Sequence, residues 1–284
     1  MTLREIQAVF KKELLEIYPV SEINSFFFMT VEKELGYSKS QTLMYLEEPM
    51  SMGESIRFHS SLNRLKLHEP IQYVLGKTQF YNLEFEVTPA TLIPRPETEE
   101  LVDWIVADLL YQHSNLQILD IGTGSGCIAV TLAKNISNAD VAALDVSKEA
   151  LKVATQNAIN NKVKVVFFRE DILNTKNLPQ QYNVIVSNPP YVRNSEKKMM
   201  HKNVLDFEPP SALFVEDSNP LLFYSKITNL ASIYLKPNGL LYFEINEYLS
   251  KEVIQLLEKE KFIQIELKKD FFGKDRMIKA KRGE

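Results

Sequence analysis

The chain of 284 residues is 45% hydrophobic and 25% charged, a balance that excludes disorder as its main state and predicts a large domain with a smaller partner. Its 33 Lys and Arg against 37 Asp and Glu leave a net charge of −4, which argues against sequence-blind binding to a phosphate backbone. One cysteine (Cys127), four scattered histidines (59, 68, 113 and 201), no apolar run of about 18 residues and no signal-peptide pattern predict a cytoplasmic protein without metal, internal disulfide or membrane span.

Residues 1–75 read as a small all-α domain. Apolar side chains recur there at helical intervals (Ile6, Val9, Phe10, Leu14, Ile17). Thr2-Leu-Arg-Glu5 and Ser51-Met-Gly-Glu54 fit the capping box, in which a hydroxyl and a carboxylate three residues apart each accept the other's backbone N–H at a helix start. Strand-like alternation first appears at Leu83-Glu-Phe-Glu-Val87, so residues 76–95 are expected to form a hairpin or linker. Residues 96–284 alternate strands with helices, which predicts a mostly parallel sheet covered on both faces. Strands are expected at 116–121, 140–145, 163–168, 182–187 and 240–245, the last entered through a turn at Pro237-Asn-Gly239. Helices are expected after the first strand, over 147–160 with Ser147 as cap, over 220–235 and over 249–259. Two further strands, 262–267 and 276–280, should form a hairpin around Asp270-Phe-Phe-Gly273. No helix precedes the last strand, so it should run antiparallel.

Nine glycines in 284 residues is about 3%, under half the roughly 7% of an average chain. Three of them fall within five residues, at Gly122, Gly124 and Gly126. They follow the apolar strand 116–121 and precede the apolar helix beginning at Cys127, the opening of an α/β nucleotide-binding unit. The dinucleotide fingerprint places glycines at offsets zero, two and five; here the offsets are zero, two and four. Asp145, 19 residues past Gly126 at the end of the second strand, is placed to accept both hydroxyl hydrogens of a ribose. Asp120 ends the first strand, where its charge repels a pyrophosphate and attracts a sulfonium or an ammonium. Asp171, after the third strand, can reach an adenine amino group. S-adenosyl-L-methionine is therefore expected over NAD.

Asn188-Pro189-Pro190-Tyr191 stands directly after the strand 182–187, at the edge where parallel sheets bind ligands. The two prolines donate no N–H and hold the loop stiff and extended. What remains are acceptors, the Asn188 side-chain oxygen and the Pro189 carbonyl, suited to a planar –NH2 group. Tyr191 offers a face on which such a group can stack. Holding both hydrogens turns the nitrogen lone pair toward an electrophile, and the methyl of a sulfonium is the natural one.

The glycine loop together with this tetrapeptide resembles the class I methyltransferases that act on amino groups of planar substrates. Within them the chain resembles the release-factor glutamine methyltransferase family. The supporting segments are Glu69-Pro-Ile-Gln-Tyr-Val-Leu-Gly76, Leu92-Ile-Pro-Arg-Pro-Glu-Thr-Glu99, Asp120 to Gly126, Ile185 to Tyr191 and Glu208-Pro-Pro-Ser-Ala-Leu213. The resemblance implies a Rossmann-like α/β domain with a seven-stranded, mostly parallel sheet, behind an amino-terminal helical domain that recognises the substrate. It implies methyl transfer to the side-chain N5 of the glutamine in the Gly-Gly-Gln motif of class 1 peptide chain release factors. It places Gly122, Thr123, Gly124, Ser125, Gly126, Asp145 and Ile172 at the methyl donor, and Asn188, Pro189, Pro190, Tyr191 and Val192 at the glutamine amide; Asp120, Asp171 and Asn188 are also expected at the donor. Asn188, Pro189 and Tyr191 are the expected catalytic residues.

Three positions depart from the family pattern: Ile172 stands where members often carry an aromatic, Phe207 replaces a tyrosine before Glu208, and Asn246 replaces a glycine. The main alternative is an adenine-N6 nucleic-acid methyltransferase, which uses the same tetrapeptide on an exocyclic –NH2. Such an enzyme needs a basic recognition domain, yet residues 1–85 hold 9 basic and 11 acidic side chains and the remainder 24 and 26. A protein substrate is expected, with no direct nucleic-acid partner and a monomeric chain. Arg95, Glu97 and Glu99 form a charged set that either salt-bridges a linker or belongs to the surface closing over the site.

Overall fold

The computed structural model describes residues 1–112 and 114–283; His113, one of the four histidines, lies outside them. Two compact units emerge: residues 1–76 with 201–207, and residues 77–200 with the chain from 208 onward.

The first unit is all-α. Its helices are α1 (Leu3–Leu14), α2 (Val20–Leu35), α3 (Lys39–Met44), α4 (Met52–Lys66) and α5 (Ile71–Leu75). Both expected capping boxes form, Thr2 with Glu5 and Ser51 with Glu54, and a third joins Ser38 to Gln41. Each satisfies two backbone N–H groups that a helix start otherwise leaves unpaired. Leu3, Ile6, Phe10 and Leu14 align on one stripe of α1 and bury against Phe26, Phe27 and Val31 of α2 and Phe58 and Leu62 of α4.

The second unit opens with an antiparallel hairpin, β1 (Lys77–Phe80) and β2 (Leu83–Glu86), followed by α6 (Pro96–Leu109). There follow β3 (Leu116–Ile121), α7 (Cys127–Asn135), β4 (Ala139–Asp145), α8 (Lys148–Asn160), β5 (Val165–Arg169), β6 (Tyr182–Ser187) and the two-residue β7 (Val192–Arg193). After α9 (Lys202–Phe207), which groups with the helical unit, come β8 (Phe214–Val215), α10 (Leu222–Tyr234), β9 (Leu235–Glu244), α11 (Ser250–Lys259), β10 (Phe262–Lys269) and β11 (Asp275–Arg282). The main sheet has seven strands in the order β10-β11-β9-β6-β3-β4-β5. Six of the seven strands run in one direction, and β11 alone runs against them, antiparallel to both β9 and β10, as the missing helix before it implies.

Alternation along the strands builds two cores. Leu116 and Ile118 of β3 join one cluster with α6 and α7, while Leu119 and Ile121 join the other with α10 and α11. From β3 the chain winds outward through β4 and β5, then returns to lay β6 on the other flank. The carboxyl ends of β3 and β6 therefore frame the topological switch point, where such sheets open a crevice.

Two expectations change. Pro237-Asn-Gly239 does not precede the strand but bulges within it: Leu235 already pairs with Tyr182, and pairing resumes at Leu240 with Val184. The strand interrupts itself because Pro237 has no N–H to offer and Asn238 adopts a positive φ of 64°. The set Arg95 to Glu99 is the start of α6 rather than a linker, with Pro96 in its first turn and Glu97 and Glu99 near its positive end. Among the described residues no helix is long and apolar enough to cross a membrane.

Candidate active site

The glycine loop is laced to the neighbouring strand. Gly122 and Thr123 donate their N–H groups to the Leu144 carbonyl at 2.9 and 3.0 Å, and Gly124 donates to Asp145 Oδ2 at 2.9 Å. Asp145 Oδ1 accepts from the Ser147 N–H at 2.8 Å, so one carboxylate ties the loop to the first turn of α8. A Cβ at Gly122 or Gly124 would meet nothing within 4 Å, whereas one at Gly126 would stand 3.0 Å from Ala154 Cβ. The first two glycines leave space for a ligand; the third lets α7 pack on α8. Asn157 of α8, fully buried, clamps the same corner by donating to the Ser125 and Glu86 carbonyls and accepting the Glu86 N–H.

A cavity of about 400 Å³ opens at the switch point. That lies within the roughly 300–1,000 Å³ of small-molecule sites. Gly122, Thr123, Gly124 and Ser125 form one wall, and Asp145, Asp171 and Ile172 another. Asn188, Pro189 and Pro190 face the same cavity. Asp171 is partly spent on its own turn, accepting from Leu173 N at 3.0 Å and from Asn174 Nδ2 at 2.6 Å. Glu170 adds a third carboxylate to the lining. Arg95 is the cation on that lining, and it is ion-paired to the buried Glu208 at 2.5 Å. Three carboxylates against one neutralised guanidinium repel a pyrophosphate and suit a cationic ligand. Of the charged set, Arg95 is both salt-bridged and on the lining, while Glu97 and Glu99 are not on it; Glu208 also accepts the Ile93 N–H at 3.2 Å, fixing residues 93–95 beside the cavity.

Four expected site residues stand back from the lining. Asp120 is completely buried behind the loop and accepts from the Thr123 hydroxyl at 2.6 Å, which braces Thr123. Burial pushes its carboxyl up to about 7, against the lowering pull of the Thr123 hydroxyl and the Ala129 N–H, with the Asp145 charge adding to the rise. Gly126 serves helix packing, as above. Val192 pairs with Phe214 in a short parallel ladder. Tyr191 turns its hydroxyl inward to Glu244 Oε1 at 2.8 Å. Burial and the Glu244 charge raise its pKa well above that of an ordinary tyrosine, which removes it as a base.

The Asn188 loop is organised from below by Thr98, Glu244 and Asn246. Asn188 Nδ2 donates to Thr98 Oγ1 at 3.2 Å, and Thr98 donates to Glu244 Oε2 at 2.6 Å. Glu244, the last residue of β9, is fully buried; burial raises its pKa, opposed by the Thr98 and Tyr191 hydroxyls and by Arg276. Asn246 donates to the Tyr191 carbonyl at 3.1 Å and to Glu196 Oε2 at 2.9 Å, pinning the far end of the loop. Glu170 carried a signal, its place at a strand's carboxyl end. Thr98 lies within the segment Leu92 to Glu99, but nothing in that segment marks its distant partners, and Asn157, inside a helix, carried no signal.

Comparison with known proteins places this geometry. The family model described as PrmC N-terminal domain matches residues 29–76, and the one described as Methyltransferase small domain matches residues 103–207. A release factor glutamine methyltransferase of Flavobacterium psychrophilum is 50% identical over 282 residues, covering 99% of each chain. One from Bacteroides thetaiotaomicron is 40% identical over 281 residues, covering 99% of this chain and 100% of its own. Among solved structures, a methyltransferase from Pyrococcus furiosus is similar in fold alone, with a TM-score of 0.52 at 18% identity, covering 82% of this chain and all of its own. Near-complete coverage at this identity, on a chain whose glycine loop and Asn188 loop face one cavity, fixes the assignment: the chain belongs to the release factor glutamine methyltransferase family.

Proposed function

We propose that the chain transfers a methyl group from S-adenosyl-L-methionine to the side-chain N5 of the glutamine in the Gly-Gly-Gln motif of class 1 peptide chain release factors, modulating translation termination. The observation that carries this reading is the single cavity lined by both the glycine loop and Asn188-Pro189-Pro190, on opposite flanks of the switch point. Family membership supports it and favours it over the adenine-N6 alternative.

The residues present fit the donor. The cradle at Gly122 and Gly124 is open where a Cβ would intrude, and the lining is anionic. Asp145 would accept the ribose hydroxyls with the lone pairs left after Gly124 and Ser147 are bound; Asp171 would meet the adenine amino group, and Ile172 would supply an apolar face to the base. Thr123 and Ser125 would meet the amino-acid end. When bound, S-adenosyl-L-methionine supplies an electrophilic methyl carbon whose bond to sulfur breaks as a bond to the amide nitrogen forms.

An amide nitrogen is barely nucleophilic, so this chain's task is positioning and charge stabilisation. Asn188 Oδ1 and the Pro189 carbonyl hold the two amide hydrogens, and Pro190 keeps those acceptors rigid. As the nitrogen gains positive charge, both contacts strengthen. The surplus hydrogen then leaves as a proton to solvent, since the tetrapeptide carries no base and the Tyr191 hydroxyl is committed to Glu244. Tyr191 and Val192 act by shaping the loop.

Residues 1–75 are assigned to gripping the release factor, residues 76–95 to connection and residues 96–284 to transfer. The substrate is a protein, nucleic acid is not bound directly, and the chain works as a monomer in the cytoplasm, where release factors meet ribosomes. Labelled-methyl transfer from S-adenosyl-L-methionine to purified release factor tests the reading. Label is expected on wild-type release factor, and neither on a variant lacking the Gly-Gly-Gln glutamine nor on DNA. Label on DNA instead would overturn it.

A further inference from the structure

An asparagine amide is nearly symmetric in shape but not in chemistry: one end only accepts hydrogen bonds and the other only donates. Asn188 can hold an –NH2 group only if its oxygen faces outward. Turned over, it would set donor against donor and repel the substrate. What decides the direction lies beneath it. A threonine hydroxyl owns a single hydrogen, and a carboxylate can only accept. Thr98 stands 2.6 Å from Glu244 Oε2 and 3.2 Å from the Asn188 amide nitrogen. Its hydrogen is taken by Glu244, so it presents a lone pair to Asn188. The Asn188 –NH2 must then turn down to Thr98 and its Oδ1 up to the cavity. The other Glu244 oxygen is occupied by the Tyr191 hydroxyl at 2.8 Å, so it cannot release Thr98 by rotating. Thr98 and Glu244 are each only 2% exposed, which keeps water from supplying a substitute partner.

We infer that Thr98 and Glu244 form a polarity relay that fixes the direction of the Asn188 side-chain amide, making them positioning residues for methyl transfer. The inference rests on the proposed amide-methylating activity, and it deepens that reading. The chemistry is one-directional. An acceptor at Glu244 draws the Thr98 hydrogen downward, whereas a donor there pushes it upward and invites Asn188 to flip. Glu244→Gln, nearly identical in shape, introduces that donor, and Tyr191 can still donate to the remaining oxygen.

The test combines Thr98→Val, Thr98→Ser and Glu244→Gln with three readouts: single-turnover methyl transfer to release factor, donor affinity by calorimetry, and exchange of the Asn188 side-chain –NH2 hydrogens in the 15N-labelled full chain. Thr98→Val, which keeps shape and loses the hydroxyl, is expected to slow transfer about 10–100-fold, the range of one buried hydrogen bond, with donor affinity within about twofold. Its Asn188 –NH2 should lose protection. Thr98→Ser should restore both rate and protection, and Glu244→Gln should behave as Thr98→Val. Wild-type rates and protection in Thr98→Val would overturn the relay. So would a loss of rate that follows donor affinity and that Thr98→Ser fails to rescue, the pattern of general structural damage. If the unsubstituted chain transferred nothing to release factor, the functional reading would fail, and the –NH2 exchange would still decide the relay.

Discussion

Asp145 binds backbone on one side and faces the cavity on the other, which makes it the residue whose loss separates donor binding from chemistry. Asp145→Ala should weaken S-adenosyl-L-methionine about 10–100-fold, the worth of hydrogen bonds to a charged group, and unchanged affinity by calorimetry would remove the ribose assignment. Glu244 makes a prediction in pH. It serves as an acceptor for Thr98 and Tyr191, which requires the ionised form, and burial holds its pKa above the usual carboxylate range. A raised pKa means that acidification protonates Glu244 earlier than an exposed carboxylate, so transfer should fall on the acid side at a higher pH than an ordinary Glu would cause. The charged and titratable groups facing it are Arg276, which favours ionisation, and Glu97, Tyr191, Tyr224 and Cys127, which Glu244 itself disfavours from ionising or which oppose its charge. A pH–rate profile measured under single turnover should show this limb, and Glu244→Gln should abolish it; a limb that survives the substitution belongs to another group.

At the level of elements, much was legible because local signals agreed with the tertiary result. The apolar strand 116–121, the glycine run and the helix after it appear where periodicity and backbone freedom put them. Ser147 caps α8 as its hydroxyl predicts, accepting from Ala150 N. The helix α6 carries proline in its first turn and two glutamates behind it, the ordinary marks of a helix start, but lies outside the elements the chain's periodicity marks. Pro and Gly at 236–239 read locally as a stop, but pairing with β6 on either side makes them a bulge within β9. The role of Gly126 also needed the structure, since contact with Ala154 is made by a residue 28 positions away in sequence. Gly126→Ala should cost about 1–2 kcal/mol for its left-handed backbone and a further 1–3 kcal/mol for overpacking. Gly36→Ala, at the end of α2 with a φ of 71° and open space around it, should incur only the first cost. Urea unfolding of the two variants compares them directly, and equal losses would refute the packing role.

On the scale of the whole molecule, a parallel sheet brings the ends of β3, β4 and β6 to one edge, so loops distant in sequence converge on one crevice. Motifs on those loops were readable from the chain because they are short and contiguous. The parts that orient them were not: Thr98 lies 90 residues from Asn188, and Glu244 lies 53 from Tyr191. Nor did the chain announce that Asp120 would retreat behind Thr123, since strand alternation alone does not say which carboxylate at a strand end reaches the opening. The central claim is that the proline-stiffened loop holds a glutamine amide against the methyl donor. Single-turnover transfer to release factor by Asn188→Ala, paired with calorimetry of donor binding, tests it most directly. Transfer should drop by about 100-fold or more, as on removal of a transition-state hydrogen bond, while donor affinity stays within a few-fold. Transfer at the wild-type rate by that variant would contradict the account.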